Sequence, residues 1–205
     1  MLKIYGQARS RTFRVLWLAK EINLPYEHIP VSINVEGAQA KEDWYRQINP
    51  NARIPAIDDG GVILWESAAI NVYLAKKYGG SLYPQTQDGE GRMLQWGFYI
   101  ANDVEPPMVA MFQHRAAFPP EKRIAAIAEE GEKKLQPGLQ IIDGQLGKTR
   151  FLQGNEWGMA DFLAASVLYT LFAMKYDLSK YTKLAAWLSA SCERPAAKEA
   201  RKLRE

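Results

Sequence analysis

The chain has 205 residues, of which 47% are hydrophobic and 24% are charged, and this ordinary globular composition excludes disordered and collagen-like classes. The 26 basic and 23 acidic residues leave a net charge of +3 with no basic block, so no nucleic-acid partner is expected. One cysteine, Cys192, and two histidines cannot form an internal disulfide and leave too few ligands for a metal centre. The first ten residues lack the apolar core of a signal peptide, and no apolar run is long enough for a membrane span. We therefore expect a soluble, cytoplasmic protein without membrane contact.

The first 78 residues alternate short strand-like runs with helical patterns. The predicted elements are a strand at 2–5, a helix at 12–22, a strand at 26–31, a helix at 39–48, two strands at 54–57 and 62–65, and a helix at 67–78. The turn residues Asp58-Asp59-Gly60-Gly61 between the last two strands predict a hairpin. The order β-α-β-α-β-β-α indicates a small mixed sheet with helices packed on it, an α/β domain.

Residues 79–89 are rich in glycine and polar side chains and are typical of a linker. No strand is expected after them. Helices are predicted at 92–104, 121–147, 160–174 and 181–192, with a short one after Pro195. The pair Pro106-Pro107 must end or kink the first of these helices. We expect two domains, at residues 1–78 and 90–205, the second entirely helical.

Three segments contain side chains that could carry chemistry. Ile54-Pro55 opens a strand, where proline is ordinarily trans and marks an edge strand. Glu66-Ser67 lies between a strand and a helix, so Ser67 is either a plain helix cap or part of an anion site. The loop from Gln7 to Thr12 holds hydroxyls and arginines, which are typical of caps and solvated charges as well as of ligand sites.

Together these segments resemble the cytosolic glutathione transferases, of the bacterial type with a theta-like or zeta-like serine. The family's first half is a thioredoxin-like fold. The resemblance covers essentially the whole chain, and residues 49–55 (NPNARIP) and 65–70 (WESAAI) carry most of it. Residues 154–161 (GNEWGMAD) are similar to the family's folding motif, with Asp161 as its aspartate. There Gly158 replaces the usual Ser or Thr cap, at a cost of only a few tenths of a kcal/mol.

The resemblance implies glutathione as co-substrate and gives the matching positions roles. Ser67 and the helix N-terminus would bind the γ-glutamyl carboxylate, and Glu66 the ammonium group. The backbone of Ile54, before a cis Pro55, would pair with the cysteinyl backbone as an added strand. Lys41 matches the position that commonly meets the glycyl carboxylate, and Arg53 is expected to help hold the tripeptide.

The glutathione thiol must be activated. A free thiol has a pKa near 8.5, and lowering it by about two, roughly 2.7 kcal/mol, makes thiolate the major form at neutral pH. Ser10 resembles the catalytic serine of the theta-like and zeta-like classes, while Tyr5 is the alternative because other classes use a tyrosine near this strand. We favour Ser10, since Tyr5 lies within the strand. The zeta signature Ser-Ser-Cys is absent, and no cysteine lies near this loop.

The electrophile is expected to be small and hydrophobic. By resemblance the first helices of the second half would contact it, and an aromatic and methionine stripe there supplies the candidates, which are Tyr99, Met108, Met111, Phe112 and His114, with Phe118 and Tyr169 behind them. Conjugation to such electrophiles is the expected function. The alternatives are a glutathione-binding scaffold with little turnover and a glutathione-dependent peroxidase, lyase or dehalogenase. The resemblance also implies a homodimer, and no metal is expected.

Overall fold

The computed structural model describes residues 1–33 and 35–204, which form two compact units. The first unit consists of Met1–Tyr83 together with the described residues from Glu193 onward, and the second is Pro84–Cys192. No helix within these described ranges is long and apolar enough to cross a membrane.

The first unit contains a four-stranded mixed sheet in the order β2-β1-β3-β4. Its elements are β1 (Leu2–Tyr5), α1 (Thr12–Glu21), β2 (Tyr26–Ile29), α2 (Asp43–Arg46), β3 (Ala56–Asp59), β4 (Val62–Trp65) and α3 (Ser67–Tyr78). Strand β1 pairs in parallel with β2 and antiparallel with β3, so that Ile4 lies opposite both His28 and Ile57. The predicted β-α-β-α-β-β-α order is confirmed.

Two elements of this unit are shorter than predicted. The helix expected at 39–48 is a 3-10 turn at Gln39–Lys41 followed by the single turn α2, because the extended residue Glu42 separates them. Strand β2 ends at Ile29, directly before Pro30, which has no backbone N–H for the sheet. By contrast, α1 has nearly its predicted length, and its residues 12–19 are all buried because it packs against α3 and against the helix Pro195–Lys202.

Gly6, at the end of β1, lies where the start of α1 and the residue before Pro55 approach the strand. Its backbone has φ +134°, a conformation that side chains rarely adopt, and its N–H donates to the Ile29 carbonyl at 2.9 Å. A Cβ atom built there would lie 2.2 Å from Thr12 Oγ1 and 2.9 Å from Ile54 Cβ. The missing side chain thus lets the start of α1 approach the residue before the cis Ile54–Pro55 bond. That cis bond confirms the expectation taken from the family.

The hairpin of β3 and β4 is fixed to α3 by one carboxylate. Asp59 accepts hydrogen bonds from Tyr73 and Lys77, each at 2.8 Å, and from Tyr78 at 3.0 Å. Burial raises the pKa of Asp59, but these hydrogen bonds outweigh burial and the net pKa is lowered. The hairpin is thereby fixed to the C-terminal half of α3.

The second unit is helical among its described residues. Its helices are α4 (Gln87–Tyr99), α5 (Glu105–Phe112), α6 (Ala125–Leu146), α7 (Met159–Ala173) and α8 (Thr182–Cys192). Helix α4 begins inside the predicted linker, because Thr86 caps it by accepting a hydrogen bond from Gly89 N–H at 3.1 Å. Pro106 and Pro107 lie in the first turn of α5, where the missing N–H groups are not needed, and a π-helical turn at Ile100–Val104 connects α4 to α5.

Asp161 holds the loop before α7. Its side chain is fully buried and accepts hydrogen bonds from Leu152 N–H at 3.0 Å, Trp187 Nε1–H at 2.8 Å and Gly158 N–H at 3.3 Å. Burial raises the pKa of this carboxyl, against the opposing effect of the N–H donors. Gly158 caps α7 without a side chain, so Asp161 supplies the hydrogen bond of this cap.

The last helix, α9 (Pro195–Lys202), belongs to the first unit and packs against α1. The expected domain of residues 90–205 differs from this arrangement in its last residues. The small side chains of Ala197 and Ala200 are buried, and Arg194 and Lys20 form ion pairs with Glu21 and Glu199. Sequence periodicity identified the helix, but it does not show which surface a helix covers.

Candidate functional site

The first turns of two helices meet in the first unit. Arg14, in the first turn of α1, is buried, and its Nη1 donates to Ser67 Oγ across 3.5 Å, at the long limit of a hydrogen bond. Ser67 is the first residue of α3 and is only 5% exposed. Both helices therefore direct their N-terminal ends toward one region. Free N–H groups and the positive end of each helix dipole favour an anion there.

Glu66 precedes Ser67 in an unusual backbone conformation. Its φ is 72° and its ψ is 112°, a region that residues other than glycine rarely occupy, with a typical cost of about 1–3 kcal/mol. Its carbonyl accepts the Ile70 N–H at 2.9 Å, while its side chain is exposed and caps no N–H of α3. The strained backbone thus leaves the carboxylate available at the helix start.

Ser10 lies in a turn immediately before α1. Its Oγ accepts the Thr12 N–H at 3.0 Å, and its own proton can go to the Gln7 carbonyl at 2.6 Å or to Thr12 Oγ1 at 2.9 Å. The side chain is partly exposed. One hydroxyl has one proton, so donation to any further acceptor must replace one of these two contacts.

Tyr5, the alternative activating group, belongs to the buried core of the sheet. It is packed with Val31, Tyr45 and Ile54, and its ring meets the Tyr45 ring edge-on at 6.3 Å between centroids. Burial raises its pKa, and the charges of Asp58 and Glu27 raise it further. A hydroxyl with a raised pKa is a poorer hydrogen-bond donor to an anion.

Ile54 has a buried side chain and a backbone that is open to pairing. Among residues 1–33 and 35–204, neither its N–H nor its carbonyl has a hydrogen-bond partner. The neighbouring carbonyl of Arg53 is fixed by Tyr45 Oη–H and Asn49 Nδ2–H, each at 2.7 Å. The segment before Pro55 is therefore rigid and can accept an added strand.

The two basic candidates are exposed. Lys41 ends the 3-10 turn at Gln39–Lys41, and its carbonyl accepts Arg46 Nε–H at 3.0 Å. Arg53 is held through its backbone while its guanidinium lies at the surface. Both are free to meet a carboxylate, and both have the exposure of ordinary solvated charges.

The hydrophobic candidates lie on α4, on α5 and in the π-helical turn Gln113–Ala117. Met108 and Met111 are fully buried, as core residues are, and expose no surface to a substrate. Tyr99, Phe112 and His114 are half-buried. His114 Nδ1 accepts the Ile124 N–H at 3.1 Å, and its ring meets the Phe118 ring edge-on. Among the candidates, Tyr99, Phe112 and His114, with Phe118 behind them, present part of their surface.

Three further residues position the parts of this site. Gly6, Thr12 and Arg14 hold the two helix starts and Ile54 close together. The spacing of Arg14, one helical turn after Ser10, is part of the resemblance to the family, and Thr12 ends the candidate loop, whereas Gly6 was not singled out from the sequence. In the described ranges, no group of three or more His, Cys, Asp or Glu side chains is placed to hold a metal ion.

Comparisons with known proteins identify the family of the chain. Residues 1–76 match the family model for the glutathione S-transferase N-terminal domain, and residues 106–195 match the model for the C-terminal domain. The chain is 32% identical to glutathione S-transferase hmp2 of Hypomyces subiculosus over 92% of each protein. It is 27% identical to glutathione S-transferase GstB of Escherichia coli strain K12 over 97% of each.

Solved structures give the same result. The theta class glutathione S-transferase from Xanthomonas axonopodis pv. citri, solved with glutathione bound, superposes with a TM-score of 0.90 at 28% identity, covering 97% of this chain and 96% of that one. Glutathione transferase F2 from Populus trichocarpa has the same TM-score at 26% identity, covering 100% and 99%. The chain belongs to the glutathione S-transferase family, whose enzymes use glutathione as co-substrate.

Proposed function

We propose that this transferase joins the thiolate of glutathione to small hydrophobic electrophiles, with Ser10 as the group that stabilises the thiolate. The observation that supports this most directly is the meeting of the α1 and α3 starts, where Arg14 contacts Ser67. One end of glutathione can bind at α3 while its thiol lies at α1. Proximity and a stabilised thiolate then supply the catalysis.

The charges of glutathione match the groups around this region. Ser67 and the free N–H groups of α3 suit the γ-glutamyl carboxylate, and the exposed Glu66 carboxylate suits the ammonium group. The backbone of Ile54, which has no hydrogen-bond partner in the part of the chain that the structure describes, suits the cysteinyl backbone. Lys41 and Arg53 are the cations for the glycyl carboxylate, and Tyr99, Phe112 and His114 are the candidates for contact with the electrophile.

Ser10→Ala should raise the pKa of bound glutathione while leaving its affinity nearly unchanged, because the hydroxyl is not needed for the carboxylates. Turnover of an aryl halide should fall about tenfold for each 1.4 kcal/mol lost from barrier stabilisation. Some activity remains, since the α1 dipole and the neighbouring arginines are retained. The measurement is thiolate absorbance of the enzyme–glutathione complex against pH.

Tyr5→Phe is the matched control, because it also removes one hydroxyl from the same end of the sheet. A titration moved only by Tyr5→Phe would make the tyrosine the activating group. If calorimetry shows that the wild type binds glutathione but the protein turns over no aryl halide, the alternative of a glutathione-binding scaffold is favoured. Faster turnover of a hydroperoxide would favour peroxidase chemistry.

We also propose that the enzyme is a two-fold homodimer. Strand β4 is a sheet edge, and its Val62, Ile63 and Trp65 side chains are 40–45% exposed. Exposed apolar residues on an edge strand are a typical site of association. Sedimentation at micromolar concentration should give twice the chain mass, and Ile63→Lys should shift the species toward the monomer. A wild-type monomer at that concentration would contradict the proposal.

A further inference from the structure

The C-terminal helix contacts α1 at both of its ends. At the start of α9, Arg194 donates to Glu21 at the end of α1. At the other end of α9, Arg204 reaches the residues around the start of α1. The two helices therefore run in opposite directions, and Arg204 lies beside the turn that carries Ser10.

Arg204 contacts the chain on both sides of Ser10. Its carbonyl oxygen accepts a hydrogen bond from Arg9 Nε–H, and Arg9 directly precedes Ser10. Its guanidinium lies 4.8 Å from the centre of the Phe13 ring. Phe13 in turn donates its backbone N–H to the Ser10 carbonyl at 3.1 Å. The two contacts of one residue thus flank the proposed thiolate-stabilising group.

Positioning of this kind matters because much of the Ser10 turn lies at the protein surface. The side chains of Gln7, Arg9 and Arg11 in this turn are exposed, and the hydrogen bonds of the Ser10 hydroxyl are all to residues within three positions. A hydroxyl must be held within about 0.5 Å of its productive position to act on a reacting atom. A contact from a distant part of the chain can restrict the turn where local bonds cannot.

We propose that Arg204 and Arg9 are positioning residues for the reaction: Arg204, just after α9, holds the Ser10 turn in the geometry that stabilises the glutathione thiolate. This inference rests on the proposed role of Ser10. It assigns Arg204 to the reaction although it touches no reacting atom.

The test is a chain that ends at Leu203, which lacks both Arg204 contacts. The pKa of enzyme-bound glutathione should rise, and kcat with an aryl halide should fall by about three- to tenfold, as expected for the loss of one orienting contact. The glutathione Kd by calorimetry should change less than twofold. A chain that ends at Arg204 is the control, and its thiol pKa and kcat should equal those of the full chain.

Two comparisons separate positioning from charge and from folding. Arg9→Met removes the donor to Arg204, whereas Arg11→Met removes an equal charge at an equal sequence distance from Ser10, so Arg9→Met should have the larger effect. Arg204→Ala keeps the carbonyl and should give a smaller effect than truncation. Thermal unfolding of each variant shows whether the fold is retained, and the thiol pKa is measured well below each midpoint.

A cycle with Ser10→Ala decides the interpretation. If the C-terminal end acts through Ser10, truncation in the Ser10→Ala background should add almost nothing to the thiol pKa or to kcat. If Ser10→Ala raises the thiol pKa and truncation does not, the positioning role is wrong and the proposed function stands. If Ser10→Ala leaves the thiol pKa unchanged, the proposed role of Ser10 is wrong and the inference falls with it.

Discussion

Replacing Asp161 with alanine should lower the free energy of unfolding by about 3–4 kcal/mol, the largest stability loss expected from any single change discussed for this chain. The carboxylate is fully buried, and its three N–H donors come from Leu152, Gly158 and Trp187. Without it, these donors stay buried with no acceptor at this position, at about 1–3 kcal/mol for each unsatisfied group. Urea unfolding followed by tryptophan fluorescence measures the effect.

Two further variants make the result specific. Asp161→Asn keeps one oxygen for the Leu152 and Trp187 donors but turns an NH₂ group toward the Gly158 N–H, so an intermediate loss is expected. Asp143→Ala removes an acceptor for the Lys183 and Leu184 N–H groups at the start of α8, where the aspartate is only half-buried. Water can replace that acceptor, and the loss should be about 1 kcal/mol. Equal losses for Asp161→Ala and Asp143→Ala would contradict the role of burial.

The largest effect on binding is expected from the double variant Glu66→Ala, Ser67→Ala. It removes the acceptor for the ammonium group and the hydroxyl for the γ-glutamyl carboxylate. Hydrogen bonds to charged groups contribute about 1.5–3 kcal/mol each, so the glutathione Kd should rise about hundredfold or more. Isothermal calorimetry measures the Kd, and an unchanged value would remove the basis of the site.

Single variants at Glu66 isolate the contribution of its carboxylate to glutathione affinity. Glu66→Gln should bind glutathione and an analogue lacking the γ-glutamyl amino group with similar affinity, whereas the wild type should prefer glutathione. Glu66→Gly also removes the carboxylate but relieves the φ of 72°, so the fold should become about 1 kcal/mol more stable while affinity falls. If Glu66→Gly has a higher free energy of unfolding but a lower affinity for glutathione, the loss of affinity does not come from a loss of folded protein.

The order of elements in the first unit was predictable because its signals are local. The turn Asp58–Gly61 and the alternation of short apolar runs with helical patterns predict the hairpin and the packed helices. The start of α4 was not predicted, because Gly89 and Gly91 are typical of a linker. The cap at Thr86 and the packing of Gly89 against Pro84 make a helix there instead.

The site was predictable only in part. Ser10, Ile54, Glu66 and Ser67 are named by motifs, whose residues are close in sequence. The contacts that bring them together are not: Arg14 meets Ser67 across 53 positions, and Arg204 meets Arg9 across 195. The positive φ of Glu66 is also hidden, because the residue type favours a negative value. Such features follow from tertiary packing and carry no local signal.

Helix α9 packs in the first unit but is synthesised after the second unit, and this affects the order in which the two units can finish folding. Residues 84–192 leave the ribosome before α9 does, so the helical unit can finish folding while the surface of α1 that Ala197 and Ala200 later cover is still bare. A fragment that ends at Tyr83 lacks α9, so this surface of α1 would stay uncovered in it. The first unit is therefore the last to be finished, although its strands are made first.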